Sequence, residues 1–171
     1  RPVWIERFIS SLLIAPAMWL VIDSAHAEVT MRNQFPQLNS FESRHELQRL
    51  HANTAQVKIQ QTQQLHTHGI SAAQITLNTH PYSGVSLVGT YGDWGSYAAL
   101  VMDLYNPDSE PLELVVRISD YAHDRGENNF NDRFNRRIVL IQGWNQMRID
   151  LEDVRTAPSG RIMQMDAVSN V

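Results

Sequence analysis

Residues Ala98–Tyr121 read AALVMDLYNPDSEPLELVVRISDY, and the period of their apolar residues decides the fold. Leu100, Met102 and Leu104 fall on alternate positions, as do Leu112, Leu114, Val116 and Ile118. Side chains alternate across a strand but wind around a helix, so a period of two marks strands. Between the runs, NPDSEP at 106–111 gathers turn-forming residues. The same signature recurs outward in both directions. QVKIQQTQQ, GISAAQITLNT and GVSLVG precede it, and RFNRRIVLI and NQMRIDL follow it. Turn signals at Pro81, Gly92 and QGWN (142–145) separate the runs. No amphipathic helical pattern lies between them, so βαβ units are not indicated. Many short strands punctuated by turns predict an all-β fold, an antiparallel β-sandwich.

Alternation also assigns faces. One comprises Leu100, Met102, Leu104, Leu112, Leu114, Val116, Ile118, Ile138, Leu140, Met147, Ile149 and Leu151. It is expected to meet an opposing sheet, each buried side chain contributing about 1.5–3 kcal/mol. The other carries Asp103, Tyr105, Arg117, Tyr121, Arg133, Asn135, Arg137, Arg148 and Asp150. A sheet face of that composition is either solvated or a ligand platform.

The chain has 171 residues, a net charge of −4, 14 Lys+Arg against 18 Asp+Glu, and no cysteine. Such a balance gives no reason to expect nucleic acid, which needs a concentrated basic surface. Disulfides, thiolate catalysis and cysteine-ligated zinc are excluded. Lys58 is the only lysine, so nearly all positive charge is arginine, the residue suited to planar bidentate pairing.

The N-terminus is a distinct unit, here taken as residues 1–27. Phe8–Ile22, FISSLLIAPAMWLVI, is 15 residues without charge. A bilayer span needs about 20. Three readings stay open: a membrane helix, a signal peptide with a cleavage-like Ala25-His26-Ala27, and a buried core helix. In the first, membrane contact runs through residues 8–22. Arg1 and Arg7 before the run, with Asp23 and Glu28 after it, place the remainder on the extracytoplasmic side in the first two readings. Residues 28–54 read as a linker and edge segment, and 55–171 as the sandwich. Within the linker, Ser43 and Glu46 have capping-box spacing for one or two helical turns.

FPQLNSFES, GDWGSYAALVMDLYNPDSEPLELVVRISDYAH, NDRFNRR, GWNQMRIDLEDV and APSGR resemble the extracytoplasmic C-terminal domain of VanZ-like bacterial membrane proteins. That domain is similar to family 11 carbohydrate-binding modules and other galactose-binding-like jelly rolls. The likeness covers about residues 33–171. It implies a jelly roll and, more weakly, sugar binding; it also favours the membrane reading of residues 8–22. MDAVSNV resembles the beginning of a last strand that stops early.

Sugar-binding surfaces combine aromatic rings with hydrogen-bonding groups. The candidate ligand-binding residues are Tyr105, Arg117, Asp120, Tyr121, His123, Asp132, Arg133, Asn135 and Arg148. Several cluster in YAHDRGENNFNDRFNRR, whose Asp and Asn residues are equally suited to calcium ligation or to Asx-turns. No cofactor is expected, structural calcium being the one possibility. Asp103, Arg117 and Arg148 are candidates for a cross-strand charge ladder. Trp94 and Trp144 read as structural turn residues, and His66-Thr67-His68 as an exposed edge rather than a zinc site. No nucleophile elbow, zinc-protease helix or phosphate-binding loop appears, so the domain is expected to be non-catalytic. The open alternatives are a glycan-binding module and a structural or protein-interaction module of a membrane protein.

Overall fold

A computed structural model describes the backbone of residues 3–171 and the side chains from residue 18 onward. Helix α1 (Val3–Asn33) precedes a short α2 (Arg44–Gln48). Strands β1 (Leu50–Ala52), β2 (Lys58–Thr62), β3 (Ala72–Thr76) and β4 (Val85–Leu87) follow. Then come β5 (Ala99–Asn106), β6 (Leu112–Asp120), α3 (Tyr121–Arg125), β7 (Phe134–Leu140), β8 (Gly143–Asp150), α4 (Leu151–Thr156) and β9 (Val168–Asn170).

Pairing is antiparallel throughout: β1 with β4, β2 with β3, β5 with β8, and a three-stranded β7-β6-β9 sheet. The chain is therefore a β-rich fold of small antiparallel sheets. All-β overstates it, since helix accounts for 25% of residues against 34% strand. The sheets do not follow the chain. β5 and β6 are consecutive, yet β5 pairs β8 and β6 pairs β7. The connection from β7 to β8 also changes sheet, over Ile141 and Gln142. Gly143 makes the corner at φ +90°, a backbone region that penalises a Cβ. Asn145 closes it, donating to Ile141 O at 2.8 Å and Gly143 O at 2.9 Å and accepting from Ile141 N at 3.0 Å.

The expected two-sidedness is present. Leu100, Ile118, Phe134, Met147, Ile149 and Val168 come from both larger sheets into one buried cluster. On β6, Ile118 is 0% exposed and Val115 is 61% exposed. Leu114, Val116 and Ile138 are half-buried, but Leu112 at the strand end is exposed. Leu151 is buried as expected, though in α4, where Asp150 caps the helix by accepting from Glu152 N at 2.9 Å. Trp94 lies in the core within a one-turn 3-10 helix, Trp94–Ser96, with Tyr97 edge-on to Phe35 at 5.1 Å.

The N-terminal third departs from its expected division. The boundary at residue 27 falls inside α1, whose last turns dock on the domain. Met31 is buried, Tyr91 Oη donates to Glu28, and His45 Nε2 lies 3.4 Å from Asp23. Among the described residues no helix is long and apolar enough to cross a membrane. The stretch 8–22, read as a membrane helix in one of three open alternatives, lies largely outside the described side chains, which begin at residue 18. Met18–Ile22 are exposed.

The segment 34–43, read as a linker toward an edge strand, contains no strand; the edge strand is β1, after α2. Glu46 organises this segment. Its carboxylate accepts from the backbone N–H of Ser40, Glu42 and Ser43 and from both serine hydroxyls, at 2.7–3.2 Å. The capping box with Ser43 forms as its spacing predicts. Arg49, also buried, donates to the carbonyls of Leu38, Val88 and Gly89.

Candidate functional site

The candidate residues separate into three groups. Tyr105 and Arg148 stand on the outer face of the β5–β8 pair, facing Trp144 and Val101 across the register. Trp144, read as a structural turn residue, is the second residue of β8, is 45% exposed, and meets the Tyr105 ring at 5.2 Å. The expected Asp103–Arg117–Arg148 ladder does not form, because Arg117 belongs to the other sheet. Asp103 instead accepts from Gln146 at 3.1 Å, the residue opposite it, and this is the main reason its carboxyl titrates low.

Asp120, His123 and Asp132 form a second group, organised by a residue the sequence did not single out. Arg161 binds Asp120 through two nitrogens at 2.7 and 2.9 Å, and Asp132 likewise at 2.5 and 3.0 Å. Asp120 is fully buried and also accepts from the backbone N–H of His123 and Gln164. Burial pushes its carboxyl pKa up; the guanidinium and the two amides outweigh burial and hold it below the ordinary value of 3.8. Asp132 is held low chiefly by Arg161, and Arg161 is raised in turn. His123 is 2% exposed, its Nδ1 lying 3.5 Å from Asp132 without an aligned hydrogen bond.

This group is a partly buried ionic clamp tying the end of β6 to the loop before β7 and the loop after α4. Two of the carboxylates considered for calcium, Asp120 and Asp132, share the single positive charge of Arg161. Among the described residues, no group of three or more His, Asp or Glu is placed to hold a metal ion. Only APSGR, quoted for its resemblance, contained a signal for Arg161, and nothing local in it points to a partner 41 residues away.

Arg117, Arg133 and Asn135 are brought together on the outer face of β7-β6-β9. Asn135 faces Arg117 across the ladder and accepts from Arg133 Nε at 3.0 Å. On the far side, Arg117 Nη2 donates to Asn170 Oδ1 at 3.0 Å. Asn170 is held by Ser119 Oγ at 2.9 Å and lies opposite Ser119 in the register. A polar row thus crosses all three strands. The Phe130 ring, 63% exposed, flanks it with the Arg133 guanidinium 5.5 Å from its centroid. Asn135 Nδ2 donates to Phe130 O at 3.0 Å, fixing that loop to the sheet. Tyr121 opens α3, with Arg125 over its exposed ring at 5.7 Å. Phe130 and Asn170 were missed: the one lay in a loop with no alternation, the other in a strand of three residues.

Chemically, this row offers guanidinium and amide donors and amide acceptors, with one apolar ring from the adjoining loop. No protein-family model, curated protein or solved structure matches the chain, and nothing in these comparisons links it to VanZ-like proteins or carbohydrate-binding modules.

Proposed function

We propose that this chain is a non-catalytic carbohydrate-binding module of jelly-roll type, binding glycan on the outer face of β7-β6-β9. One observation carries the reading: the Asn170–Arg117–Asn135–Arg133 row lies beside the exposed Phe130 ring. Sugar hydroxyls need paired donors and acceptors, and the C–H face of a pyranose needs an apolar surface. Strands hold Asn170, Arg117 and Asn135, which lowers the ordering cost of binding. Titration calorimetry against a broad oligosaccharide panel is the test. Saturable heat with at least one member, weakened about tenfold or more in Phe130→Ala, is the expected outcome. Absence of heat across the panel rejects the proposal.

A second reading, a structural or protein-interaction module, is favoured by a different surface. Val101, Tyr105, Ile141 and Trp144 are all exposed on or beside the outer β5–β8 face. Aromatic residues such as Tyr105 and Trp144 are enriched in the cores of protein interfaces. Under that reading the oligosaccharide panel is silent, and Trp144→Ala abolishes association with the protein partner.

A further inference from the structure

We propose that Arg117 and Arg133 form an anion subsite for the carboxylate of an acidic saccharide. The inference rests on the glycan-binding reading of the same face and names the ligand class. Its basis is the accounting of charge on that sheet. The two neighbouring strand arginines have carboxylate partners: Arg136 pairs with Asp153, and Arg137 with Glu113. Arg117 and Arg133 have none among the described residues; each donates instead to an asparagine carbonyl oxygen.

Asn135 has Arg117 across the register and Arg133 two residues before it, and two such like charges repel unless an acid relieves them. Here burial holds the Arg133 guanidinium below its ordinary pKa, and the positive field of Arg117 adds to it. A bound anion supplies the missing relief. The geometry also selects the anion. Arg133 spends Nε on Asn135 and Arg117 spends one terminal nitrogen on Asn170, so among the described residues the remaining N–H donors of both planar groups have no protein partner. A carboxylate offers two oxygens with about four lone-pair sites to such forks. The exposed Phe130 ring beside Arg133 gives the attached pyranose its apolar contact. A glucuronate-type residue combines both features; a neutral hexose lacks the first and inorganic sulfate the second.

Nitrogen-edited NMR of the arginine Nε–H signals tests this on the full chain, titrated in parallel with glucuronate, glucose and sodium sulfate. Saturable shifts of the Arg117 and Arg133 signals with glucuronate are expected, at an affinity at least tenfold tighter than for glucose or sulfate. In Arg117→Gln/Arg133→Gln that preference disappears while the remaining spectrum stays dispersed, showing an intact fold. Glucose shifting these signals as strongly as glucuronate overturns the anion assignment but leaves the glycan reading standing. Equal affinity for sulfate and glucuronate overturns the saccharide part, and an unmoved arginine pair in the presence of glucuronate overturns the subsite itself. A silent oligosaccharide panel is the separate failure of the underlying reading.

Discussion

Arg161 is the residue on which the loop architecture turns. It pairs at once with a fully buried carboxylate, Asp120, and a half-buried one, Asp132. Removing one partner of a buried pair leaves an uncompensated charge, which typically costs about 3–5 kcal/mol. Arg161→Met is therefore expected to lower the urea midpoint by that equivalent, with far-UV dichroism showing the fold retained. The effect depends on pH. Both aspartates titrate lower when folded than when unfolded, so the unfolded chain binds more protons on the acid side. Their stabilisation is complete above about pH 4–5 and fades as pH falls through the folded values. The gap between wild type and Arg161→Met should thus be widest near neutrality and narrow below about pH 4, as denaturation at stepped pH would show. A constant gap would mean that Arg161 acts through packing alone. The aspartates were visible in the sequence as a polar knot; their cation was not, because ion pairs between distant segments leave no periodic trace.

At the scale of the strand and turn, β6 carries the two-sided pattern that the spacing of Leu112–Ile118 predicts. The contrast is measurable on one strand. Ile118→Ala opens a cavity in the core and is expected to cost about 2–5 kcal/mol. Val115→Ala, on the outer face, should fall within about 0.5 kcal/mol, by equilibrium unfolding. The corner between β7 and β8 gives a second check. A Cβ at Gly143 meets no atom within 4 Å, so Gly143→Ala is penalised only by its positive φ, about 1–2 kcal/mol. Strand positions and the Ser43–Glu46 cap were legible because local periodicity and capping chemistry determine them. Pairing was not: alternation says which side chains share a face of one strand, never which strand lies beside it. For that reason Tyr105 and Arg117 looked like neighbours on one platform and stand on separate sheets. α3 and α4 were hidden because a single turn capped by Asp120 or Asp150 is too short to show a helical period.

Across the whole molecule, the two larger antiparallel sheets share one apolar cluster and turn differently composed faces outward. The outer β5–β8 face shows Tyr105 and Trp144; the outer β7-β6-β9 face shows the arginine–asparagine row. Because the candidate residues divide between them, one paired comparison tests the central claim. Calorimetry with the tightest-binding oligosaccharide of the panel should be run on Arg117→Gln/Phe130→Ala and on Tyr105→Ala/Arg148→Ala. Loss of a charge-assisted hydrogen bond and a ring contact should weaken the first variant about 10- to 100-fold, while the second binds as wild type does. Unchanged affinity in the first variant, with loss in the second, would contradict the assignment of the site to β7-β6-β9.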